Sequence, residues 1–234
     1  MKFIHSSDWH IGRLFQNISL LDDQLYVLQQ LKSYLKEYAV DALLISGDIF
    51  DRSVPPADAV EALDLFLDEI ITELNIPIIM ISGNHDSRKR LGFGASRMHQ
   101  SGLHILNSLT DVTKPVVIKT ATESVYFYGI PYHDPVEVKE AFACDVSSYD
   151  DAHTYLVEKI KAECNLNIPS VLMSHCFVDG AEESESERPL SIGGADRVSY
   201  QPLEAFHYVA LGHLHAPQHK GKEHIRYSGS LLKY

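Results

Sequence analysis

Short, nearly unbroken apolar runs recur along the chain, from Lys2 to His5, Ala42 to Ser46, Pro77 to Ser82, Pro115 to Lys119, Val125 to Ile130, Ser170 to Ser174 and Tyr208 to Leu211. Runs of this length without polar alternation predict strands covered on both faces. Between them the period changes. From Ser19 onward, Leu21, Leu25, Leu28, Leu31 and Leu35 recur at steps of three and four and predict a helix. Ser19 is its expected N-cap, Asp22 and Asp23 fall in its first turn and Lys36 in its last, each sign matching the helix dipole. A second helix is predicted after Pro55-Pro56, with Val60, Leu63, Leu67, Ile70 and Leu74 facing inward and Asn75 ending it, and a third from Asp151 to Cys164. Strands alternating with helices predict an α/β domain. The aromatic-rich strands near the middle predict a second sheet packed on the first, with Tyr126, Phe127, Tyr128 and Tyr132 read as core rather than as a base-stacking platform. From Asp179 to Tyr200 periodicity disappears and the acidic run Glu182-Glu183-Ser184-Glu185-Ser186-Glu187 predicts a long surface loop. His224 to Tyr234 reads as a strand and its continuation, as in part of a longer protein.

Composition narrows the class. The 234 residues, 45% of them hydrophobic, suffice for one large α/β domain. The three cysteines have no close spacing, which argues against a disulfide framework or a structural zinc site, so they are read as buried or incidental thiols. No apolar stretch has signal-peptide or membrane-span length, so a cytoplasmic location and no membrane partner are expected. A net charge of −12 excludes a simple DNA-binding module, whose affinity comes from Lys and Arg, but not an enzyme whose site carboxylates are offset by cations. Thirteen histidines against one tryptophan turn attention to metal ligation and proton transfer.

Where those histidines fall is the informative part. The predicted strands end in Asp8-Trp9-His10, Gly47-Asp48-Ile49-Phe50-Asp51, Gly83-Asn84-His85-Asp86, Ser174-His175 and Gly212-His213-Leu214-His215. Groups just beyond the carboxyl ends of strands in an α/β sheet converge on one crevice. Each short motif alone is ordinary turn chemistry; their joint occurrence is not. Carboxylate, amide and imidazole without thiolate suit Mn²⁺, Mg²⁺, Fe or Zn²⁺, and two such ions sharing a carboxylate would activate water for in-line attack on phosphorus. Arg13, Arg52, Arg88, Lys89 and Arg90 follow the proposed ligands closely and would ring the cleft with phosphate-binding groups.

In this order, D-x-H, G-D-x-x-D, G-N-H-D, a lone His and G-H-x-H resemble the motifs of the calcineurin-like metallophosphoesterase superfamily. Within it, Asp8-Trp9-His10-Ile11-Gly12, Gly47-Asp48-Ile49-Phe50-Asp51, Ala210-Leu211-Gly212-His213-Leu214-His215 and Arg226-Tyr227-Ser228-Gly229-Ser230 look like the SbcD-type nuclease subunits of bacteria, and the acidic loop with Gly193-Gly194 is similar to those of the Gram-positive type. The likeness spans essentially the whole sequence and implies a four-layer α/β/β/α sandwich. It also implies that Asp8, His10, Asp48 and His215 hold one metal, and Asp48, Asn84, His175 and His213 a second, with Mn²⁺ the preferred ion. His85 would bind no metal and would protonate the leaving oxygen; Asp51 would orient it and Arg52 grip phosphate. Further implied are a homodimer built partly from helices near the N-terminus, DNA ends and hairpins as substrates cut by 3′-to-5′ exonuclease and endonuclease action, and an SbcC-type ATPase partner. No Gly-x-x-x-x-Gly-Lys-Ser/Thr loop is present, so any ATP dependence comes from that partner. The capping and partner-binding segments of the family are expected to lie outside this sequence. The competing reading is a phosphomonoesterase or phosphodiesterase acting on a small molecule, since the same site serves both.

Overall fold

The apolar runs assemble into two sheets. In the computed structural model, which describes residues 1–165, 167–184 and 196–234, β1 (Phe3–Ser6), β2 (Ala42–Ser46), β3 (Ile78–Ile81) and β4 (Leu103–Ile105) lie side by side in that order, all parallel. Six further strands, β5 (Val116–Lys119), β6 (Ser124–Ile130), β7 (Ser170–His175), β8 (Tyr208–Gly212), β9 (Gln218–Lys220) and β10 (Lys222–Tyr227), make the second sheet in the order β9-β10-β8-β7-β6-β5. Its inner strands are parallel and its two outer ones antiparallel.

Successive side chains of a strand point to opposite faces, and that alternation builds the layers. Leu44, Ile79 and Ile81 of the first sheet meet Phe127, Val171, Met173 and Ala210 of the second. Leu43, Ile45, Ile78 and Met80 point the other way, onto α1 (Leu21–Glu37) and α2 (Ala57–Asp68). Leu172, Leu211 and Ile225 face α3 (Pro135–Phe142) and α4 (Tyr149–Glu163). The result is the four-layer α/β/β/α sandwich. Among the described residues no helix is long and apolar enough to cross a membrane.

Several expectations shift. Leu20, not Ser19, is the N-cap of α1, and Ser19 accepts only from Leu21 N at 3.3 Å. Its buried stripe is Gln24, Leu28, Leu31 and Leu35, with Leu25 37% exposed. On α2 the buried face runs through Ala59, Leu63, Phe66 and Leu67, so Val60, about 100° round the helix from its neighbours, is 45% exposed. That helix continues as a π-turn over Glu69–Glu73, and Asn75, at φ 53°, ends the segment. The third predicted helix begins at Tyr149, capped by a reciprocal box between Ser148 and Asp151. β4 and α3 have no counterpart in the predicted elements; α3 is started by Asp134 with Pro135 in its first turn. Cys176 is buried and Cys144 and Cys164 are half-buried, all free. Residues 185–195 of the acidic loop, which include Gly193-Gly194, lie outside the described residues. At its base Phe177–Val178 pairs with Arg197–Val198, and Arg197 lies 3.4 Å from Asp179 and 3.6 Å from Glu183.

Under α4, His153 stacks on His133 with ring centroids 5.8 Å apart, and its Nε2 meets Ser174 Oγ at 2.9 Å. Burial, helped by the neighbouring imidazole of His133, drives the His153 pKa down to about 3. A group held neutral when folded but basic when unfolded stabilises the fold above the unfolded value near 6.5, and that stability is lost as pH falls toward the folded value. The stability gap between the wild type and His153→Gln is therefore expected to narrow below pH 6.5, by about 1.4 kcal/mol per unit at most. Urea titrations between pH 7.5 and 5 measure it; a gap that stays constant contradicts the assignment.

Candidate metal centre

The carboxyl ends of β1, β2 and β3 abut those of β7 and β8, and the close approach depends on glycine. A Cβ on Gly212 would sit 1.9 Å from Ser46 O, and one on Gly83 would sit 2.1 Å from Asp48 Oδ1. Polar contacts seal the seam: Ser46 Oγ donates to Ala210 O at 2.9 Å and His175 Nδ1 donates to Ser46 O at 2.8 Å. Asp8, His10, Asp48 and His213 have positive φ, at 55°, 46°, 49° and 108°. Such backbone strain, on the order of 1–3 kcal/mol each, concentrates at functional sites.

Asp48 lies at the middle. Its Oδ1 accepts from His85 N at 2.8 Å, while Oδ2 faces His175 Nε2 at 3.5 Å, His10 Nε2 at 3.8 Å and His85 Nε2 at 4.0 Å. To one side, Asn84 Oδ1 meets His175 Nε2 at 2.9 Å and His213 Nδ1 at 3.2 Å. To the other, His10 Nε2 and His215 Nε2 converge to 3.1 Å, with Asp8 alongside. Asp8 accepts from His213 N at 3.0 Å and from Ser7 Oγ. Asp8, His10 and His215, and likewise Asp8, Asp48 and His175, offer donor atoms within 4.8 Å of one another.

The electrostatics of this cluster favour cations. Burial foremost, and the charge of Asp48 beside it, push Asp8 up to about 7. Burial also acts to raise Asp48, but the imidazoles of His175, His10 and His85 outweigh it and hold that carboxyl well below the usual range. The His175 pKa moves to about 9: burial opposes its charge, and the carboxylates of Asp48 and Asp8 overcome that opposition. The buried carboxylates of Asp48 and Asp8 thus draw positive charge toward His175, a place that a divalent cation fits. The all-oxygen-and-nitrogen donor set and the convergence of imidazole lone pairs fit the same conclusion.

His85 is held differently. Its Nδ1 donates to the backbone carbonyl of Asp51 at 2.8 Å, which leaves Nε2 turned toward the centre. Contact with Asp51 thus runs through the main chain, while the Asp51 carboxylate lies 4.0 Å from His10 Nδ1. Arg52 reaches to 3.9 Å from Asp51 Oδ2 at the exposed rim. The basic residues part company. Arg88 is paired with Glu137, Lys89 lies with it along a groove beside Asn107 and Glu140, and Arg90 turns to a separate apolar groove with Phe93 and Val60. Arg13 sits over the ring of Tyr234, 4.3 Å from its centroid.

Some residues that shape the site stand outside the ligand and basic sets that the sequence singles out. Asp86 accepts from Ile49 N, Phe50 N and Gly83 N at 3.1, 2.9 and 2.9 Å, tying the second and third loops together. It is the last letter of G-N-H-D, so the motif itself was its signal. Tyr132, expected in the core, instead stands half-buried edge-on to His175, with its hydroxyl on that of Tyr149 at 3.2 Å. Gln24 and Tyr234 had no signal beyond being polar or aromatic.

A double-sheet sandwich whose strand ends gather carboxylates, an amide and imidazoles around space for cations defines a metal-dependent phosphoesterase. The calcineurin-like phosphoesterase family matches residues 1–217, and the chain belongs to that family.

Proposed function

We propose that this centre binds two divalent cations, Mn²⁺ foremost, and cleaves phosphodiester bonds of DNA as the nuclease subunit of an SbcC–SbcD-type complex in DNA repair, recombination and replication. Asp8, His10, Asp48 and His215 hold one ion; Asp48, Asn84, His175 and His213 hold the other. When bound, the ions supply Lewis-acid polarisation of the phosphoryl group and lower the pKa of water. The protein's own part is to position these donors and to keep His85 Nε2, fixed through its Nδ1 bond to Asp51 O, ready to give a proton to the leaving oxygen.

The observation that carries this reading is the placement of Asp48 Oδ2 between the two donor groups, facing His10 on one side and His175 on the other. DNA rather than a small ester is supported by the SbcD-like residues around those donors, from Asp8 to Gly12 and from Ala210 to His215. Exposed apolar side chains are compatible with a homodimer: Val54, Val60, Phe93 and Met98 line one groove and are 58%, 45%, 82% and 37% exposed. Full-length protein with its SbcC-type partner, Mn²⁺ and ATP is expected to degrade linear duplexes from the 3′ end and to open hairpins, and the nuclease subunit to sediment as a dimer. Hydrolysis of cyclic nucleotides or aryl phosphates with both DNA substrates left intact would favour the small-molecule alternative; a monomer in sedimentation would remove the dimer.

A further inference from the structure

After β10 the chain turns at Gly229 and crosses from the second sheet toward the first, where Leu231 packs against the core beneath α1 and α2. Ser228 Oγ meets Ser7 Oγ at 2.8 Å and Ser230 N donates to His215 O at 3.1 Å on the way. This brings Tyr234 beside the His10–His215 half of the centre. Its ring meets those of His10 and His215 edge-on, at centroid distances of 5.6 and 5.8 Å, and its hydroxyl donates to Trp9 O at 2.5 Å.

A buried amide fixes that hydroxyl in turn. Gln24, 1% exposed, shares the two hydrogens of Nε2 among Tyr234 Oη at 3.1 Å, Trp9 O at 3.1 Å and His10 O at 2.8 Å, and its Oε1 accepts from Gly12 N at 3.0 Å. A polar side chain on the buried face of a helix is tolerated when its hydrogen bonds are satisfied. Here they are, and apart from Tyr234 itself the groups that satisfy them belong to the loop carrying Asp8 and His10.

The face of the Tyr234 ring carries the guanidinium of Arg13 at 4.3 Å from the centroid. A guanidinium stacks well on an aromatic face and keeps its in-plane N–H groups available for a phosphate oxygen pair. Among the described residues Arg13 has no carboxylate within ion-pair distance, whereas Arg88 is paired with Glu137 and Arg52 approaches Asp51. It is therefore a half-buried cation beside the centre, oriented by stacking rather than neutralised by pairing.

We propose that Tyr234 is a positioning residue that aims Arg13 at the phosphate of a bound ester, with Gln24 fixing the tyrosine. The inference rests on the phosphoesterase reading of the site.

A double-mutant cycle tests it. The full-length protein is loaded with Mn²⁺, and KM is measured for bis(p-nitrophenyl) phosphate in the wild type, Arg13→Ala, Tyr234→Leu and the pair. Binding of a fluorescent oligonucleotide in EDTA provides a readout independent of turnover. Arg13→Ala and Tyr234→Leu are each expected to raise KM and weaken oligonucleotide binding about tenfold, with the pair no worse than Arg13→Ala alone, and Tyr234→Phe is expected to rescue most of the Tyr234→Leu loss by restoring the ring. Effects that multiply in the pair overturn the proposal, as does wild-type KM in Arg13→Lys, which keeps the charge and loses the planar stack. The lysine variant decides the matter even if Tyr234→Leu fails to fold. Should the metal-loaded wild type hydrolyse no ester at all, it is the phosphoesterase reading that falls, a result distinct from additivity.

Discussion

Asp48→Asn is expected to reduce bound Mn²⁺ from about two ions per chain to less than one and to lower kcat/KM by about a thousandfold or more, because on the proposed assignment its charge would serve both ions. The asparagine matches the carboxylate in shape, so the test isolates charge. Three imidazole nitrogens, those of His175, His10 and His85, face the oxygen that would be replaced, between 3.5 and 4.0 Å away. An amide there offers either a neutral oxygen or a donor aimed at a ligand. Metal content measured by plasma emission beside initial rates settles the point. Retention of both ions with near-normal turnover would show that the bridge lies elsewhere.

His85→Gln separates chemistry from assembly. The ring donates through Nδ1 to Asp51 O, and Asp48 Oδ1 accepts from the main-chain N of residue 85 rather than from its side chain. Metal content is accordingly expected to stay at the wild-type level while kcat falls about 10²–10⁴-fold, the usual contribution of a positioned proton donor. The loss should be smaller for esters with acidic leaving groups such as p-nitrophenol, which need little protonation. Full activity in the metal-loaded variant on an alkyl diester would exclude the imidazole as proton donor.

How far the fold and centre can be read from sequence differs residue by residue. Ala42 to Ser46 is buried at every position, so its strand announced itself as an unbroken apolar run, and the polar residues after such runs marked the crevice. β4, by contrast, is three residues long and contains His104, too short for any pattern to register. Gln24 carries no signal in the sequence because helical periodicity weighs apolar residues, and only a fold that places the 8–12 loop against α1 explains a buried amide there. The left-handed backbone of Asp8, His10 and Asp48 was equally invisible, since nothing in an aspartate or histidine demands it; the surrounding strands impose it. Arg13, Arg88 and Arg90 read alike as basic residues after ligands, and only three-dimensional placement distributes them among the Tyr234 ring, Glu137 and a separate groove.

The glycine seam carries a thermodynamic corollary. Asp8, His10, Asp48 and Asn84 hang from one sheet, and His175, His213 and His215 from the other, so ions held jointly would rivet the two slabs at their common edge. Each ion at a hundredfold excess over its Kd adds about 2.7 kcal/mol against unfolding. That increment falls on the opening of one slab from the other. Chelation would thus loosen the joint between the slabs first, and hydrogen exchange at the ends of β2 and β8 would accelerate before the flanking helices respond.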